Sequence, residues 1–152
     1  MINIFNLIGL GGTFDHLHKG HKFLIKIALN LSKNIVIGLA TDELLRNKEY
    51  ASTIENYEIR KKNIIEYIKN ISDPKRVKII ELNDSYGPPI KEREYEAIIV
   101  SQETYLNAIE INKIREKKGF DQLIIIVIPV VKDDKNEKIS STNIRKNLVM
   151  EK

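Results

Sequence analysis

The chain contains no cysteine, which excludes disulfides and thiolate chemistry. Nor does it carry a long block of one-sign charge: 25 Lys and Arg stand against 21 Asp and Glu, a net charge of +4 spread along the sequence. Nucleic-acid binding is therefore not implied, although a mildly basic surface raises the local concentration of small phosphate-bearing substrates. Long apolar runs are missing too. The longest, LIIIVIPVV at 123–131, is interrupted by Pro129 and falls far short of the roughly 20 residues of a membrane-spanning helix. The opening MINIFNLIGLGG has no basic segment followed by an apolar stretch and a cleavage site, so a soluble cytoplasmic protein without membrane partners is expected. No internal repeat is visible.

What is present is a globular balance of 42% apolar and 30% charged residues in 152 positions. That length suits one domain, 1–152, able to bury roughly two thirds of its unfolded surface. Apolar, β-branched runs read as strands at 6–12, 34–40, 76–82, 95–101 and 121–129. Between them lie helical patterns. Phe23, Leu24, Ile27, Ala28 and Leu31 recur at helical spacing over 19–33, and Ile59, Ile64, Ile65 and Ile68 mark a buried stripe over 54–71. Thr41 is placed to cap a short helix through 42–46, Ser52 and Glu55 have capping-box spacing, and Ser101 precedes a helix over 102–118 that Gly119 terminates. Ser140 or Ser141 opens a last helix reaching about residue 150.

Mostly apolar strands separated by helices predict an α/β fold: a Rossmann-like, open, parallel five-stranded sheet with helices on both faces. Ligands of such sheets bind beyond the carboxyl ends of the strands, where helix amino termini attract anions. All three histidines fall there, in GLGGTFDHLHKGHK at 9–22. His18 and His21, three apart on the opening turn of a helix, share a face and can both donate to phosphate oxygens. Gly11, Gly12 and Gly20 let a nucleotide approach the backbone. Two other readings stay open: the histidines are surface or capping residues, or Asp15, His16, His18 and His21 ligate zinc. Far along the chain, SST at 140–142 is either an ordinary cap or a cradle of hydroxyls and N–H groups for phosphate, with Arg145 one turn on.

GTFDHLHKGHK together with KISSTNIRK at 138–146 resembles the nucleotidyltransferase superfamily that bears an HxGH box and an ISSTxxR-type box. With VSQET after the fourth strand, the chain most resembles the archaeal and eukaryotic phosphopantetheine adenylyltransferases over nearly its whole length. The resemblance implies that 4′-phosphopantetheine attacks the α-phosphorus of ATP, with magnesium on the phosphates, giving 3′-dephospho-coenzyme A and pyrophosphate. It also implies that His21 is the chief donor in catalysis, that Thr13 and Lys48 hold the acceptor phosphate, and that Gly11, Gly12, Phe14, His18 and Gly20 shape the ATP site. Ser140, Ser141 and Thr142, with Arg145, would take the β- and γ-phosphates.

Arg60 falls where related cytidylyltransferases have an arginine. Bacterial enzymes of this activity carry an arginine-rich turn after the fourth strand, where this chain has SQET. Arg115, with Asn112 on the same helix face, is therefore expected on the nucleotide, against the alternative of a solvated helix arginine. A glycerol-phosphate cytidylyltransferase, a flavin or nicotinamide mononucleotide adenylyltransferase, and a non-catalytic nucleotide binder are the competing functions. The acceptor pocket is assigned to the loops at 47–52 and 83–94.

Overall fold

A computed structural model describes residues 3–48 and 51–129. The chain runs β1 (Phe5–Gly12), α1 (Lys19–Leu31), β2 (Ser32–Ala40), α2 (Tyr57–Ile71), β3 (Val77–Leu82), β4 (Ala97–Ser101), α3 (Tyr105–Lys117) and β5 (Ile124–Ile128). All five strands are parallel, in the order β3-β2-β1-β4-β5. The first three strands wind outward from β1, and the chain then returns to lay β4 along its other side. The winding direction thus reverses between β1 and β4, which opens a crevice beyond their carboxyl ends.

The α/β sandwich expected from the strand and helix pattern is the one observed. In β4, Ala97 and Ile99 point to one face while Ile98 and Val100 point to the other, the period-2 alternation of a strand buried on both sides. The first face holds Ile8, Ile25, Ile37 and Ile64 with α1 and α2, and the second holds Tyr95, Ala108 and Ile111 with α3.

Four local expectations change. Residues 42–46 form successive turns in place of a short helix, although Thr41 Oγ1 still accepts from Leu44 N at 3.2 Å. Helix α2 starts only at Tyr57, capped by Asn56, whose Oδ1 accepts from Ile59 N at 3.0 Å. Ser52 lies in a 3-10 turn over Ala51–Thr53, and the Glu55 carboxylate is engaged elsewhere, so no capping box forms. Helix α3 begins after Thr104 and not after Ser101, because Ser101 N donates to Thr104 Oγ1 at 3.1 Å and closes a preceding turn. Gly119 does adopt the left-handed conformation, φ +76, that ends α3.

The stripe of α2 also differs. Ile59 is 45% exposed, while Arg60 is fully buried in line with Ile64 and Ile68. Positions 60, 64 and 68 are spaced i, i+4, i+8, so the rotation of the helix is set by an arginine. The expected final helix, with Ser140, Ser141, Thr142 and Arg145, lies outside the described residues. Replacement of Ile64 by Ala should destabilise the fold by about 2–5 kcal/mol, and replacement of Ile59 by less than about 1 kcal/mol. Urea unfolding of the two variants checks the rotation, and equal losses would contradict it.

Candidate active site

Strand β1 ends in Gly11 and Gly12 and passes into a turn of unusual backbone. Phe14 and His16, neither of them glycine, have φ of +51 and +47. Such residues cost of order 1–3 kcal/mol each and persist only where their surroundings impose them. Here the constraint comes from the segment leading into α2. The fully buried Asp15 carboxylate accepts from Glu55 N at 2.8 Å, and Glu55 Oε1 accepts from His16 N at 2.8 Å. His16 Nε2 sits 3.1 Å from the Thr53 carbonyl and 3.5 Å from Asp15 Oδ2. Buried Arg60 completes the clamp. Its Nη1 donates to Thr13 O at 3.0 Å and Ala40 O at 2.8 Å, its Nε to Glu55 O at 2.8 Å, and its Nη2 to Asp42 Oδ1 at 2.8 Å. Arg60 therefore holds the ends of β1 and β2 and the start of α2 together.

His18 is the residue that caps α1. Its Nδ1 accepts from Gly20 N at 3.0 Å, and its own amide donates to His21 Nδ1 at 3.3 Å. A ring nitrogen that accepts an amide carries no proton, so both imidazoles hold their proton on Nε2. The two rings stack with centroids 3.8 Å apart and Phe14 packs against His21 at 5.3 Å. Burial, followed by the nearby His16, lowers the His18 pKa from 6.5 to about 4. His18 Nε2 is buried and without a hydrogen-bond partner among the described residues, a donor that an anionic oxygen at the α1 amino terminus would satisfy. Gly20 serves this arrangement directly, because a Cβ there would meet the His18 ring at 2.9 Å.

Lys48, distant in sequence, donates from Nζ to Thr13 Oγ1 at 3.1 Å. Beside this pair, in the crevice between β1 and β4, lies a cavity of about 390 Å³ whose walls include Gly9, Leu82, Tyr86, Pro89, Tyr95 and Asn107. The 83–94 loop contributes to it as expected from sequence, through Asp84–Pro89. Among the described residues the 47–52 loop supplies none of the lining, which includes Leu44 and Leu45. Asp84 organises its loop: hydrogen bonds from Gly87 N and Tyr86 N hold its carboxyl below the usual carboxylate range.

A family model for cytidylyltransferase-like proteins matches residues 10–147. Phosphopantetheine adenylyltransferase from Pyrococcus abyssi is 43% identical over 145 residues, covering 95% of this chain and 92% of its own. The Saccharomyces cerevisiae protein of the same name is 39% identical over 96% of this chain, which spans 50% of the yeast sequence. The chain belongs to the phosphopantetheine adenylyltransferase family. Among solved structures, a protein with unknown function from Archaeoglobus fulgidus superposes with TM-score 0.73 at 30% identity, covering 88% of this chain and 98% of that one. A bifunctional NMN adenylyltransferase/ADP-ribose pyrophosphatase from Francisella tularensis, at TM-score 0.63 and 19% identity over 94% of this chain and 41% of its own, shares the fold.

For this adenylyltransferase the structure brings Gly11, Gly12, Thr13, Phe14, His18, Gly20, His21 and Lys48 to one end of β1 and α1. It does not leave Arg115 available for the contact expected of it. That side chain is 1% exposed and directs its N–H groups to backbone carbonyls around residues 89–95 and 121, so the expected nucleotide contact is corrected to a scaffolding one. Asn112 is likewise buried in a two-way bond with the Leu123 backbone. The four residues weighed as zinc ligands separate into two groups, Asp15 and His16 with Glu55, and the stacked His18 and His21.

Because the folded-state pKa of His18 lies below the ordinary 6.5, the unfolded chain takes up that proton first. The stability His18 contributes is complete above about pH 6.5 and is lost as the pH falls toward 4. An NMR titration should therefore find His18 neutral at pH 5.5 with a midpoint near 4. A midpoint near 6.5 would contradict the burial argument.

Proposed function

We propose that this chain transfers the adenylyl group of ATP to 4′-phosphopantetheine, forming 3′-dephospho-coenzyme A and releasing pyrophosphate, a step in building coenzyme A. The observation that carries this reading is the juxtaposition of the stacked His18 and His21 imidazoles at the α1 amino terminus with the Thr13–Lys48 pair. A phosphate oxygen of the acceptor forms a bond to the α-phosphorus while the bond from that phosphorus to the bridging oxygen of pyrophosphate breaks. The attacking phosphate is already ionised near neutral pH, so no side chain need remove a proton. What remains is alignment and charge stabilisation by fixed donors.

In this arrangement Thr13 and Lys48 hold the acceptor phosphate, and His21 donates to the α-phosphate as charge spreads over its oxygens. His18 Nε2 supplies a further donor, and its low pKa keeps it a neutral one. The glycines and Phe14 form the floor. Ser140, Ser141, Thr142 and Arg145, which lie outside the described residues, are assigned to the β- and γ-phosphates. The cavity beside Thr13 takes the neutral arm of the acceptor.

Magnesium belongs to ATP in this reading, since Mg²⁺ keeps most of its water and is held largely by substrate phosphates. The nearby Asp15, His16 and Glu55 offer ligand atoms within 4.8 Å of one another, but each already bonds the turn, and together they fit a brace better than an ion. Among the described residues no helix is long and apolar enough to cross a membrane. The family match over 10–147 supports a single domain over 1–152, and in this reading the protein works in the cytoplasm on small molecules.

Incubation with ATP and 4′-phosphopantetheine should release pyrophosphate, and release only with CTP or with another phosphorylated acceptor would overturn the assignment. His21→Ala should lower kcat by about 10²–10³-fold, leaving the KM for ATP within about threefold. An unchanged kcat would remove His21 from the role given to it.

A further inference from the structure

The segment 83–95 joins β3 to β4 and forms one wall of the cavity, yet it pairs with no strand. Its carbonyls still need donors, and α3 provides them. Arg115 Nη1 donates to Pro89 O at 2.6 Å and Glu92 O at 3.0 Å, and Nη2 to Arg93 O at 3.4 Å and Tyr95 O at 3.3 Å. Nε donates to Asp121 O at 2.7 Å, so all five guanidinium N–H groups are used. One turn along, Lys118 Nζ donates to Ile90 O at 2.6 Å, and nearer the start of α3 Asn107 Nδ2 donates to Ser85 O at 2.6 Å. The end of the helix is fastened as well: Arg93 donates to Gly119 O at 3.1 Å, and its guanidinium and that of Arg115 lie 4.4 and 5.4 Å from the Phe120 ring.

We propose that Arg115 is a positioning residue for the acceptor: by fixing the path of residues 89–95 it sets the cavity wall formed by Pro89 and Tyr95, and with it the fit of the acceptor's neutral arm. Tyr95 is 4% exposed, and its ring would lie 3.2 Å from a Cβ at Gly9. That contact leaves little slack on the β1 side, so any drift of the segment changes the cavity between them. The planar fork of arginine reaches four carbonyls of a bent segment at once, which a lysine ammonium with three donors at one point cannot do. The turn that carries Thr13, His18 and His21 is held by a separate set of groups, Asp15, Glu55 and Arg60, so loss of Arg115 should act on the acceptor's arm and not on ATP.

This inference rests on reading the cavity as the acceptor pocket, and the test separates the two. In the full chain, Arg115→Lys should raise the KM for 4′-phosphopantetheine by about tenfold, the worth of one or two net hydrogen bonds. KM for ATP and kcat should stay within about threefold. The exposed Lys118→Met should shift the acceptor KM in the same direction by about twofold, and it decides the matter alone if Arg115→Lys does not fold. Hydrogen exchange of the ligand-free variants should quicken over 84–95 and not over 13–18. Parallel changes in both KM values and kcat, or no acceptor shift together with unchanged exchange over 84–95, would overturn the role of Arg115. Faster exchange confined to 84–95 without an acceptor-specific shift would locate the failure in the pocket assignment.

Discussion

The left-handed turn at Phe14–His16 is the constraint on which the site depends. Two non-glycine residues at positive φ cost together about 2–6 kcal/mol. Three hydrogen bonds to charged groups reach the turn from the approach to α2, through Asp15, Glu55 and Arg60. At about 1.5–3 kcal/mol each they outweigh that cost. The turn directs Thr13 toward Lys48 and delivers His18 to the start of α1 in capping position. Without the clamp, the histidines would have no fixed relation to the end of β1.

Both buried arginines illustrate one economy of construction. Arg60 and Arg115 are 0% and 1% exposed, and each gives its hydrogen bonds mainly to main-chain carbonyls at strand ends and in the segments between elements. Arg60 organises the turn that carries Thr13 and the histidines, and Arg115 the cavity wall at Pro89 and Tyr95. A buried guanidinium is costly to desolvate, yet it satisfies several carbonyls at once with fixed geometry. The result is a rigid frame on two sides of a site whose chemistry requires alignment more than proton transfer.

The sheet, its parallel order and the helix–strand alternation were legible because continuous apolar strands and 3.6-residue stripes leave few alternative folds. The grouping of Thr13, His18 and His21 was legible for a local reason, since nine residues of one turn cannot separate far. Arg60 and Arg115 were not. A charged residue breaks an apolar stripe on paper, and nothing in the spacing of residues reveals that unpaired carbonyls await it in the fold. Glu55 misled for a related reason: its capping-box spacing is real, but Asp15 and His16, some forty positions earlier, hold it by tertiary bonds that local pattern does not contain. The loop at 83–94 was legible as a connection, and only the return of β4 beside β1 made it a cavity wall.

A crystal structure with a non-hydrolysable ATP analogue and 4′-phosphopantetheine bound together tests the central claim most directly. The account places the triphosphate over the α1 amino terminus, within about 2.7–3.2 Å of the Nε2 atoms of His18 and His21. The acceptor phosphate then lies between Thr13 and Lys48, with its arm in the cavity against Tyr86 and Pro89. A nucleotide seated inside that cavity, or an acceptor phosphate remote from Thr13 and Lys48, would contradict it.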